Sequence, residues 1–229
     1  MKDKFLYLIW RDPVSRRNYT VGKLTRGSNY KFEYCEEDGK AVAEAGWQPL
    51  EAFPEGKVYE SEILFPVFSS RIPDRKRRDI QKILDKYGLK EFDEFELLQK
   101  SGARLPIDTY EFIDPIFESD KVIEREFYIM GVRHHADCDG KNCSLRPNLE
   151  LGEDLFFEPE PNNENDKFAI KILTENDILL GYVPRYYNKA ILGRLSKGVS
   201  YSCKVIELSQ EQSCSECIKV RLNMPKIDG

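Results

Sequence analysis

Pro161-Asn162-Asn163-Glu164-Asn165-Asp166-Lys167-Phe168-Ala169-Ile170 is the most telling segment in the second half of this chain. It is a polar, turn-forming loop that closes on an acidic residue and passes at once into an apolar strand, expected from Lys167 to Leu173. Gly181-Tyr182-Val183-Pro184-Arg185 follows. It ends a second strand, Ile178 to Val183, and leads into a helix from about Tyr186 to Ser196, closed by Gly198. Upstream, Gly131-Val132-Arg133-His134-His135 lies at the end of a strand read from Glu126 to Val132. Further strands are expected near Asp154 to Glu158, Tyr201 to Glu207 and Cys217 to Asn223. Five or six short strands with one helix inserted late suit a small antiparallel barrel.

The chain has 229 residues, room for one large domain or two small ones. A hydrophobic fraction of 41% with 12% aromatic residues is enough for packed cores and argues against disorder. The net charge of −5 excludes the broad basic field of a protein that coats long nucleic acid. Any contact of that kind must be a small local pocket. The apolar run at the N-terminus is short and is followed by Arg11-Asp12-Pro13, unlike a signal peptide. No run approaches a membrane span. The expected compartment is the cytoplasm, so the six cysteines are read as thiols or metal ligands before disulfides.

In the first half, Phe5 to Trp10, Asn18 to Leu24 and Tyr30 to Tyr34 read as strands, with a turn at Gly27-Ser28-Asn29 and Tyr30, Phe32 and Tyr34 on one face. Ala41 to Gly46 reads as a short helix. A longer helix is expected from Asp74 to Tyr87, stopped by Gly88, although Arg75-Lys76-Arg77-Arg78 in its first turn opposes the helix dipole. That basic run is either a phosphate contact or a solvated face. A third helix, Glu94 to Ser101, carries a capping box at Asp93 and Glu96 and a terminal Gly102. A linker near Asp114 to Lys121 divides an α+β domain, residues 1–115, from the β-rich region, residues 122–225.

The Gly131, Asn162–Asp166 and Gly181 motifs resemble the HIRAN domain, over about Glu126 to Asn223. The resemblance implies an OB-like antiparallel β-barrel with an inserted helix. It also implies a non-catalytic pocket for single-stranded DNA at a 3′-hydroxyl end. Asn162, Asn163, Asn165 and Asp166 match the loop that recognises the terminal sugar and hydroxyl. A carboxylate accepts a hydrogen bond from a hydroxyl and repels a phosphate, so an acidic floor selects an unphosphorylated end. Arg133 matches a residue that binds phosphate or stacks on a base, and Arg185 one that neutralises a backbone phosphate. Asn165 stands where the family usually has Tyr, and His134 where it has an aromatic. His134, His135, Tyr182 and Tyr186 are left to supply stacking. As neighbours on a strand, His134 and His135 would point to opposite faces. The bland reading of Asn162–Asp166 is a turn that caps the next strand.

Val21-Gly22-Lys23-Leu24, Tyr30 to Tyr34, Leu64-Phe65-Pro66 and Phe68 to Pro73, with Tyr87-Gly88-Leu89 and Phe95 to Leu98, resemble the N-terminal subdomain of HipA-type toxin kinases. That implies a unit for regulation and partner contacts. No kinase catalytic loop or Gly-rich phosphate loop is present, so no phosphotransfer is expected. The alternative function is then a protein-interaction component of a toxin–antitoxin or defence system that contacts a HipA-like kinase. Cys138 and Cys143 in one loop, with Cys214 and Cys217 in another, have spacings open to a four-thiolate structural zinc site at the pocket rim. Cys35 and Cys203 lie in predicted strands and read as buried thiols.

Overall fold

The computed structural model describes residues 4–36, 38–54, 56–117, 122–135, 149–164, 166–209 and 216–225. The chain divides into two compact units, residues 1–115 and 116–229. Both are mixed α and β, with antiparallel sheets and few helices.

In the first unit β1 (Lys4–Arg11), β2 (Asn18–Arg26) and β3 (Tyr30–Tyr34) form a meander. α1 (Gly39–Glu44), β4 (Tyr59–Ser61) and α2 (Pro66–Ser69) follow, then α3 (Ile80–Lys86), α4 (Glu94–Ser101) and β5 (Tyr110–Ile113). The sheet order is β4-β3-β2-β1-β5. Phe32 is fully buried, and Tyr30 and Tyr34 pack on the same core, as their alternation predicted. Phe32, Phe53, Phe65, Phe68 and Phe112 meet one another in a chain of ring contacts, their centroids 4.5–6.0 Å apart. The cap of α4 is as read: the Asp93 carboxylate accepts the Glu96 N–H at 3.0 Å, and Gly102 ends the helix at φ 69°. Arg26 of β2 donates to Asp93 at 2.7 Å and so ties that cap to the sheet.

The long helix expected from Asp74 is shorter, beginning only at Ile80. Residues 74–79 are turns. Asp74 accepts the Lys76 N–H at 2.6 Å, and Arg77 grips Asp79 through two bonds of 2.8 and 2.9 Å. Four successive cations are unfavourable at a positive helix end, and local carboxylates hold the chain in turns instead.

The second unit contains β6 (Ile123–Tyr128), α5 (Val132–His135), β7 (Phe156–Pro159), β8 (Ile170–Leu173), β9 (Leu179–Tyr182), α6 (Arg185–Leu195), β10 (Ser202–Leu208) and β11 (Ile218–Met224). These strands form two three-stranded sheets, β10-β11-β6 and β7-β8-β9. Single bridges join the sheets at two places, Met130 with Tyr182 and Asp154 with Lys204. β11 alternates strictly, burying Ile218, Val220, Leu222 and Met224 and turning Lys219, Arg221 and Asn223 outward. α6 buries Tyr187, Asn188, Ile191 and Arg194, one helical face. Among the described residues, no helix is long and apolar enough to cross a membrane.

Candidate nucleic-acid interface

The described residues read as a nucleic-acid pocket lie on three segments: the chain after β6, the β7–β8 connection, and the β9–α6 junction. Two glycines shape these segments. Gly131, at φ 78°, ends the extended run after Met130 and turns the chain into α5. Gly181, at φ 150°, lies so close to the neighbouring segment that any Cβ would land on the Met130 carbonyl oxygen. The close approach is held by paired bonds, Met130 N–H to Tyr182 O at 2.9 Å and Tyr182 N–H to Met130 O at 2.8 Å.

The turn at Gly131 corrects one expectation. Arg133, His134 and His135 are not strand residues facing alternately up and down; they form one exposed helical turn. Arg133 Nε donates to His134 Nε2 at 3.1 Å. The His135 ring lies 5.5 Å from that of Tyr182. Partial burial, and then the neighbouring His134, push the His135 pKa below its usual value, against the pull of Glu160.

The β7–β8 connection is a turn knitted by its own side chains. Asn163 Oδ1 accepts the Asp166 N–H at 3.1 Å, and Asp166 Oδ1 accepts the Phe168 N–H at 2.9 Å. The second oxygen of Asp166 accepts a hydrogen bond from the side-chain amide of Asn188, which is itself buried in α6. Arg185 Nε stands 3.9 Å from the same oxygen. Asp166 is mostly covered, with 17% of its side chain exposed, whereas Arg185 is half exposed at 48%. Asn162 is exposed, and Asn165 lies outside the described residues.

The sequence reading missed the carboxylate at the centre of this network. Glu160 accepts from Asn163 Nδ2 at 2.6 Å and from the Tyr182 hydroxyl at 3.0 Å, and pairs with Lys171 at 3.2 Å. The Asn163 bond, with help from Lys171 and Tyr182, keeps the Glu160 carboxyl below its usual pKa. Burial, then the bond to Glu160, raises that of Tyr182. Glu158 also pairs across the hairpin with Lys171, so that cation faces a carboxylate edge. Asn188 was hidden within a helix read only for its apolar face.

Of the four cysteines read as zinc ligands, Cys138, Cys143 and Cys214 lie outside the described residues. Cys217 lies within them and is buried just before β11. Among the described residues, no group of three or more His, Cys, Asp or Glu side chains is placed to hold a metal ion.

Residues 124–223 match the HIRAN domain family. Two solved structures share similarity with 46% of the chain, each with a TM-score of 0.36. One is a protein from Lactobacillus plantarum, 20% identical and covered over 98% of its length. The other is the HIRAN domain of human HLTF, 16% identical and covered over 78%. No curated protein matches the chain.

Proposed function

From a HIRAN domain at residues 124–223, we propose that this protein binds nucleic acid without chemistry of its own, seating the 3′-hydroxyl end of a single DNA strand at the Asn163–Asp166 turn. The observation that carries this reading is the setting of Asp166, a mostly covered carboxylate fixed from two sides, with the exposed Arg185 guanidinium 3.9 Å away. A carboxylate has about four lone-pair sites, and the two bonds leave room for a hydroxyl donor. A terminal phosphate at the same place would meet like charge. Arg185 is suited to a backbone phosphate one step back from the end, and exposed Arg133 to a further one. Tyr182 and His135 offer ring faces for a base. The two bridges joining the sheets support reading them as the walls of one small barrel.

The test is Asp166→Asn, which keeps the shape and the acceptor for Phe168 N–H but removes the charge and the acceptor for Asn188. In fluorescence-anisotropy titrations the variant is expected to lose the preference for a 3′-hydroxyl over a 3′-phosphate oligonucleotide. Retention of the wild-type preference would overturn end recognition by this turn. If the wild type binds no DNA, the protein-interaction reading takes precedence, with co-purification of a HipA-like kinase as its readout.

A further inference from the structure

We infer that Phe168, flanked by Lys167 and Lys189, is a stacking platform for a base close to the strand end; this rests on the nucleic-acid reading above. Phe168 is half-buried in the turn before β8, whereas Ala169 and Ile170 beside it enter the core. Two ammonium groups lie against its ring, Lys167 Nζ at 5.1 Å and Lys189 Nζ at 5.3 Å from the centroid. Both lysines are exposed. A half-open aromatic ring with cations around it is the combination that single strands use, bases stacking on the ring and phosphates meeting the charges.

The platform is built onto Asp166. Its backbone N–H is one of the two anchors of that carboxylate, and Lys189 directly follows Asn188, the other anchor. Arg185 and Lys189 stand four residues apart on α6, on one face, with a rise of about 6 Å between them. Lys167, Arg185 and Lys189 therefore form a local cationic patch on a chain whose net charge is −5. A strand whose end sits at Asp166 would run over the Phe168 ring with its phosphates along α6.

The full-length protein is titrated with a short oligothymidylate bearing a 3′-hydroxyl, at several salt concentrations. Phe168→Ala is expected to weaken binding roughly five- to hundredfold and Phe168→Tyr to restore it. The Lys167→Ala/Lys189→Ala double variant, altered only at exposed positions, should reduce the slope of log K against log salt by about 1.4, or about 0.7 for each lysine. Wild-type affinity in Phe168→Ala together with an unchanged slope in the double variant would overturn the platform and leave end recognition standing. A wild type that binds no oligonucleotide would overturn the reading beneath it.

Discussion

The two units place their aromatic residues differently. In the first, Phe32, Phe53, Phe65, Phe68, Phe95 and Phe112 are buried and form the middle of the core. In the second, the core is largely aliphatic, built on Ile123, Ile129, Ile170, Ile172, Leu180, Ile191 and the inward face of β11, with Phe127 and Tyr187 as its buried rings. There Phe168, Tyr182 and Tyr186 sit half-buried. Two arginines differ in the same way. Arg71, 7% exposed, is held by Asp108 at 2.6 and 2.9 Å and by the Ala103 and Tyr110 carbonyls, so it locks the first fold. Arg185, half exposed, stands at the edge of a carboxylate. Aromatic and cationic groups that are buried contribute stability, and those left part-open contribute less of it.

The largest effect is expected at Phe68. Truncation to Ala opens a cavity among four other rings and should cost about 3–5 kcal/mol. The chain has two tryptophans, Trp10 and Trp47, and both lie in the first unit. Tryptophan fluorescence during urea unfolding should therefore report the loss directly, with oligonucleotide binding unchanged. Gly181→Ala probes the other unit. Its methyl group meets backbone at Met130 and strains a left-handed residue, a cost of about 1–3 kcal/mol. Hydrogen exchange at the Met130 and Tyr182 amides should speed up while the tryptophan transition stays where it was.

The smallest effect is an acid dependence. Burial raises the Asp108 pKa, but the Arg71 hydrogen bonds, the Tyr110 N–H and the Arg71 charge outweigh it and leave the carboxyl below its ordinary value. A lowered folded-state pKa contributes stability that is complete above the unfolded value, about 3.9, and is lost as the pH falls through the folded one. Asp108→Asn should thus destabilise the first unit more at pH 7 than at pH 3, read by the same fluorescence melt. An equal loss at both pH values would mean that the carboxylate charge contributes nothing.

The parts of this fold that could be read beforehand were those set by local pattern. The β1–β3 meander, the Asp93 and Gly102 caps of α4, the hairpin of β8 and β9, and α6 all follow from alternation, capping and turn residues. β5 was not foreseen, because Tyr110–Ile113 is strand only by pairing with β1, far off in sequence. Arg133 to His135 were placed on a strand because the turning role of Gly131 depends on its positive φ, which the sequence does not display. The loop motif singled out Asn163 and Asp166, which share one hydrogen-bonded turn, but not Glu160 or Asn188, which bond to them. Their roles arise from side chains brought together across the hairpin and onto α6, and no spacing along the chain encodes such a meeting.

The most direct test of the account is the wild-type anisotropy titration with two matched oligonucleotides, one ending in a 3′-hydroxyl and one in a 3′-phosphate, each at low and moderate salt. The account predicts tighter binding of the hydroxyl end at both, with a shallow salt slope, because a fixed carboxylate and a few cations do the work. Binding that ignores the end and disappears with added salt, or no binding at all, would contradict it.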